Sequence, residues 1–343
     1  MEIETKSSEV KESIEVSVIQ GSKLSGLLYN LYSNEVPLVH HIMKNPEQVD
    51  ITNEVKHDDK DIKHEVTNFV DDSNSVISAK DEENLKVYLE KYTKLMKIFY
   101  STNFLKMNES KTNIMVIPKR NPLKNWITEE IQTEDEPIKT CASTKILGST
   151  INNTLTNDTE INNLNSSLNN ILRSLKMLGK KSTMKIRLSL ANAAFMGRMN
   201  YMLPTYTNLT TLQQGKLHKV MMNCARWVVG GNTMRTRNKM ILTQLNWIPI
   251  QKMIQKSSVK VMHNIVQSEE PEDLYNLLRI PRRKTAKMGL KKYPKKSKMS
   301  KSPICEALKN YNELPDNVKV KDKDKFKSTV NKYYKTKYKL DPG

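Results

Sequence analysis

Residues 14–18, Ile-Glu-Val-Ser-Val, alternate apolar and polar side chains with the period of a half-buried strand. The next segment opens with Gln20-Gly21-Ser22 and then sets Leu24, Leu27, Leu28, Leu31 and Tyr32 at helical spacing, which predicts a flexible turn followed by a buried helix. Residues 43–65 are charged and nearly free of large apolar side chains, so they predict an exposed connection outside any core. Two short extended pieces, 66–70 and 76–78, flank Asp71-Asp72-Ser73-Asn74, whose small polar side chains favour a tight turn. Together they predict a β-hairpin with acids at its tip. A strongly amphipathic helix follows: acids at 81–83 suit its positive end, and Leu85, Tyr88, Leu89, Tyr92, Leu95, Met96 and Phe99 share a face. Strands are predicted at 112–117, ended by Pro118, and at 145–151, with Gly148 inside.

From about Asp158 the period becomes that of long helices, with apolar residues at 161, 164, 168, 171, 172, 175 and 178, then over 186–203 and 212–229. Pro204 and Gly230-Gly231 punctuate them. The pattern predicts an α+β chain: a mixed region 1–155, a helical region 156–278, and a basic extension 279–343 closing in a short helix near 322–338. In that closing helix Tyr333, Tyr334 and Tyr338 stand among lysines, an amphipathic pattern that also offers rings for base stacking.

The 343 residues carry a formal net charge of +19 and a pI near 9.6, an excess whose field attracts polyanions, nucleic acid first among them. A Lys/Asn-rich composition inherited from AT-rich coding sequence would give the same excess. The acid-free block 279–301 has the same two readings, a solvated basic run or a phosphate contact. Cys141, Cys224 and Cys305 lie far apart without CxxC pairs, and none of the six histidines has ligand spacing, so neither disulfides nor a zinc site is predicted. The first ten residues are acidic and polar, and no apolar run approaches the ~20 residues of a membrane helix. The expectation is an intracellular chain with no membrane partner; nucleus and cytoplasm are not distinguished.

An isolated Asp-Asp is most often a surface turn, and Asp71-Asp72 takes its interest from its surroundings. Phe69-Val70-Asp71-Asp72 follows the Gln20-Gly21-Ser22 loop-helix by about fifty residues, and the amphipathic helix runs on into Leu105-Lys106-Met107-Asn108-Glu109-Ser110-Lys111-Thr112. This ordered series resembles the palm of reverse transcriptases from non-LTR retrotransposons. Lys145-Ile146-Leu147-Gly148 resembles the strand leading from palm to thumb, and the helical region to Trp227-Val228-Val229-Gly230-Gly231 resembles the thumb and connection. Thr243-Gln244-Leu245-Asn246-Trp247-Ile248-Pro249-Ile250, Leu314-Pro315 and Phe326-Lys327 are similar to later features of these reading frames.

The resemblance implies an RNA-directed DNA polymerase domain of a transposable element, a nucleotidyltransferase with an incomplete right-hand palm and a helical thumb-like region. It implies an RNA template and RNA–DNA hybrid as partners, with deoxynucleoside triphosphates if the enzyme is completed. Gln20, Gly21, Ser22 and Phe69 would line template and nucleotide. Asp71 and Asp72 would be catalytic ligands of Mg²⁺, since phosphoryl transfer uses hard oxygen ligands around paired metal ions. Lys111 would lie near the triphosphate, although an ordinary exposed lysine fits its sequence equally well, and Gly21 fits an ordinary turn glycine. The family carries a further aspartate on a strand upstream of the Gln-Gly-Ser segment, and the nineteen residues before Gln20 contain glutamates but no aspartate. Gly26 stands where the family usually has proline. The expectation is therefore a truncated reverse transcriptase fragment inactive by itself, with a non-catalytic remnant that binds RNA or RNA–DNA hybrid as the alternative.

Overall fold

The structure, a computed structural model, describes residues 2–5, 8–13, 39, 62–69, 72–80, 82–117, 137–179, 181–206, 208–230, 236–279, 288–290 and 302–340. It is mixed α+β and mostly helical, with small antiparallel sheets, and it divides into two compact units, Met1–Ile146 and Leu147–Gly343. The predicted strand at 14–18, the helix at 24–32 and most of the connection 43–65 lie outside the described residues, as does nearly all of the basic block 279–301.

In the first unit, strands β1 (Glu2–Thr5) and β2 (Ser8–Ser13) form an antiparallel pair. Strands β3 (Lys63–Phe69) and β4 (Asp72–Ser78) form a second one, in a register that sets Lys63 opposite Ser78 and Phe69 opposite Asp72. The hairpin is longer and tighter than predicted: Asp72, Ser73 and Asn74 are strand residues, because pairing continues until two residues remain between the strands. His64 and Ile77 are cross-strand partners on the face that meets helix α1 (Glu82–Thr102). His64 is buried, shares a 3.1 Å hydrogen bond between its Nδ1 and the Tyr88 hydroxyl, and meets the Tyr92 ring edge-on. Ser75 and Tyr92 share a 2.7 Å hydroxyl hydrogen bond. Val39, Tyr88, Tyr92 and Met96 form the small core beneath. The period seen in the sequence thus buries the face of α1 that it specifies, on a hairpin whose polar atoms are matched to tyrosine hydroxyls.

The predicted strand at 112–117 is reduced to one parallel bridge, Ile114 to Thr140. Ile114 N–H donates to Lys139 O at 3.2 Å and Cys141 N–H to Ile114 O at 2.8 Å. Extended residues become a strand only where a partner ladder takes up their N–H and C=O groups. Among the described residues that partnership is a single bridge. Strand β5 (Ser143–Ile146) ends the unit.

The predicted strand at 145–151 does not run through. The stretch 145–151 is broken at Leu147–Gly148, where both residues have positive φ, 48° and 78°, and β6 (Ser149–Asn152) starts afresh. Paired positive φ values make a tight turn, and glycine removes the steric cost from one of them. Helix α2 (Asp158–Leu178) buries Ile161, Leu164, Leu168, Leu172 and Leu175, the predicted stripe, while Leu178 at its end is exposed. The predicted helix at 186–203 is α3 (Met184–Leu190), a π-helical turn (Ala191–Met196) and α4 (Gly197–Asn200) in succession, followed by a 3₁₀ turn (Leu203–Thr205). Helix α5 (Thr211–Val229) starts in a full capping box between Thr210 and Gln213 and packs on α2.

Helices α6 (Asn238–Gln244), α7 (Ile250–Ser268) and α8 (Glu272–Leu277) follow, then the short pair β7 (Leu278–Arg279) and β8 (Gly289–Leu290). Helices α9 (Pro303–Asn312) and α10 (Lys323–Leu340) close the chain. Both pack on α7, and Leu308, Tyr311, Leu314, Phe326, Val330 and Tyr334 join the same core as Leu168, Met221 and Ile254. The segment set apart by its charge as an extension therefore supplies one wall of the helical core. Each fully buried Leu, Ile, Met or Phe there contributes about 1.5–3 kcal/mol. No described helix is long and apolar enough to cross a membrane.

Candidate functional site

Of the residues that the sequence singles out, Phe69, Asp72 and Lys111 are described, whereas Gln20, Gly21, Ser22 and Asp71 lie outside the described residues. Phe69 and Asp72 are brought together as directly opposed cross-strand partners. Strand alternation puts them on the same face as the exposed Val76, and that face is opposite to the one where His64 meets α1. Phe69 is 58% exposed, which is unusual for a phenylalanine in a hairpin and leaves an apolar ring and a carboxylate open side by side.

Helix α1 leads from this hairpin to a second built element. Asn108 caps the 3₁₀ turn Glu109–Lys111: its Oδ1 accepts from Lys111 N–H at 3.2 Å and from Ser110 Oγ at 2.8 Å. Thr112 Oγ1 donates to Asn108 O at 2.9 Å. Asparagine and threonine at these places hold the chain in a turn that an apolar residue would not cap. Glu109 forms a partly buried ion pair with Lys97, tying the turn back to α1. The Lys111 side chain is exposed and has no ion pair with Asp72.

In the second unit the motif residues make a scaffold. Arg187 reaches across from α3 to the end of α5, donating to Val228 O at 3.0 Å and Val229 O at 3.4 Å, and to Ser182 O at 2.8 Å. A guanidinium there satisfies helix-end carbonyls and complements their partial negative charge. Gly230 ends the helix at φ 74° and ψ −176°, and a Cβ on it would lie 2.6 Å from Arg187 Nη2. Asn246, at φ 57°, turns the chain out of α6, and Trp247 donates from Nε1 to Asn192 Oδ1 in the π-helical turn at 3.1 Å. Pro249 then starts α7. Glu160 is buried and accepts from Thr150 N–H and Tyr206 OH, both at 2.7 Å. Burial, and then the Glu160 hydrogen bond, raise the Tyr206 pKa, so the phenol keeps its proton and donates it to the carboxylate.

No protein-family model, curated protein or solved structure matches this chain.

As to metal chemistry, no group of three or more His, Cys, Asp or Glu side chains converges among the described residues. Asp72 is the member of the aspartate pair that lies among the described residues, and a Mg²⁺ site would need further oxygen ligands in a near-octahedral shell.

The sequence reading missed a group of lysines. Lys256 and Lys260 on α7 lie one turn apart and are half-buried, and Lys327 and Lys335 stand on α10, the helix that packs against α7, within electrostatic reach of them. The four-residue spacing on α7 was visible, but lysine is so abundant here that spacing alone did not distinguish it. The other two lysines come from a helix more than sixty residues away.

Proposed function

We propose that the chain is the nucleic-acid-handling part of a reverse transcriptase of the non-LTR retrotransposon kind, and that as this polypeptide it grips RNA template and RNA–DNA hybrid without polymerising. The hairpin, α1 and the Asn108 turn are read as part of a polymerase palm, and the helical core from α2 to α7 as its thumb-like continuation. The observation that carries this reading is the order of the built elements. A hairpin presents Phe69 and Asp72 on an open face, an amphipathic helix backs it, and a capped Asn-x-x-Lys-Thr turn follows. A generic acidic surface turn explains the Asp pair but not this succession. The net charge of +19 supplies the phosphate attraction.

The test is primer extension on an RNA template with Mg²⁺, beside an Asp71→Ala/Asp72→Ala control, with hybrid binding followed across a salt series. Expected are no extension and binding whose logarithm falls linearly with the logarithm of salt. Extension abolished in the control would make the chain a complete polymerase and overturn the non-catalytic part. Absence of binding at low salt would sink the reading altogether.

A further inference from the structure

Helix α7 carries Lys252, Lys256 and Lys260 at four-residue steps, which form a ridge along a helix and rise about 6 Å each. The helix contains no acidic residue. Helix α10 docks on it through Phe326, stacked on His263 at 3.5 Å, and through buried Val330 and Tyr334. This docking sets Lys327 and Lys335 on the helix packed against α7, within electrostatic reach of Lys260 and Lys256. Among the described residues Lys256, Lys260 and Lys335 have no carboxylate partner, and Lys327 has only the exposed Asp324 of its own helix at 3.2 Å. Burial first, then the neighbouring ammonium groups, pull the Lys256 pKa down to about 8, and burial and Lys327 lower that of Lys260.

Like charges held together and partly out of water oppose folding unless an anion joins them. The apolar packing of α10 nevertheless imposes the arrangement. We infer that the α7–α10 ridge of Lys256, Lys260, Lys327 and Lys335 is a docking track for consecutive backbone phosphates of one nucleic-acid strand. Its extent favours a polymer over a single phosphate. Lys327 and Lys335 stand about 12 Å apart along their helix, whereas a strand presents a phosphate every ~3.4 Å of axis. The inference rests on the nucleic-acid reading above and gives it a location.

The experiment uses the full chain and a labelled RNA–DNA hybrid, comparing Lys256→Gln/Lys335→Gln with Lys181→Gln/Lys185→Gln, two exposed lysines near α3 that remove the same charge. The ridge variant is expected to lose about tenfold in affinity at moderate salt and about 2 in the salt slope, near one per lysine. The control variant should lose less than about threefold. Equal losses in the two variants would reduce the effect to net charge and overturn the site while leaving the nucleic-acid reading intact. No binding by the unaltered chain would overturn both. Loss of binding to phosphatidylserine vesicles, with hybrid binding unchanged, would assign the ridge to a lipid surface and also overturn the proposal. Acetylation of the unaltered chain provides a readout independent of any variant's folding: the hybrid should protect Lys256 and Lys260 from modification, and equal labelling with and without it would sink the track.

Discussion

Gly230 shows how one residue type can be demanded by its surroundings. Its backbone lies in a region open to glycine alone, and the Arg187 guanidinium occupies the place of a side chain. Gly230→Ala is expected to lower stability by about 1–3 kcal/mol, read as a shift in the urea midpoint. An unchanged midpoint would mean that the Arg187 contact yields without cost. His263 makes the residue-scale case for pH. It is buried, stacked on Phe326 and linked to the Tyr311 hydroxyl, and burial lowers its pKa from 6.5 to about 4. The folded state therefore favours the neutral ring. Its contribution is fully present above pH 6.5 and is lost as pH falls toward 4, because the unfolded chain takes up the proton first. Unfolding of the unaltered chain should become easier across that window, and His263→Phe should flatten the dependence. An unchanged slope in the variant would place the titration on another group.

At the scale of elements, α2 and α10 contrast. The α2 stripe was legible because five apolar residues at helical spacing have one stable solution, burial of that face. Helix α10 was also anticipated, near 322–338, but its standing was not: lysine richness suggested an extension, whereas Phe326, Val330 and Tyr334 anchor it in the core. Long lysine stems leave their charges in water even beside a buried stripe, so net charge says little about packing. Phe326→Ala should cost about 3–5 kcal/mol and speed amide exchange in α10 more than in α2. Equal protection in both variant and unaltered chain would show that α10 does not depend on this anchor. The misjudged strands have a related cause. Residues 112–117 and 145–151 have strand composition, but a strand exists only where another takes up its hydrogen bonds, and Gly148 with its positive φ closes a turn instead.

For the whole molecule, the α+β class and the change from mixed to helical organisation were visible in the change of period. The division falls between Ile146 and Leu147, a few residues before the place where the helical period sets in. The candidate site was legible only as a list. The order of Phe69, Asp72, Asn108 and Lys111 is a property of the chain, while the open face shared by Phe69 and Asp72 follows from register. Local sequence alone sets the periods, the caps and turns of Asn108, Thr210 and Asn246, and the excess of positive charge. Each depends on residues a few positions apart. The assembled fold settles that Arg187 closes α5, that His263 is held neutral under Phe326, and that the helix bearing Lys327 and Lys335 packs on the one bearing Lys256 and Lys260. Those pairings join distant segments through shared burial, and burial is a property of the assembled core that no local pattern contains.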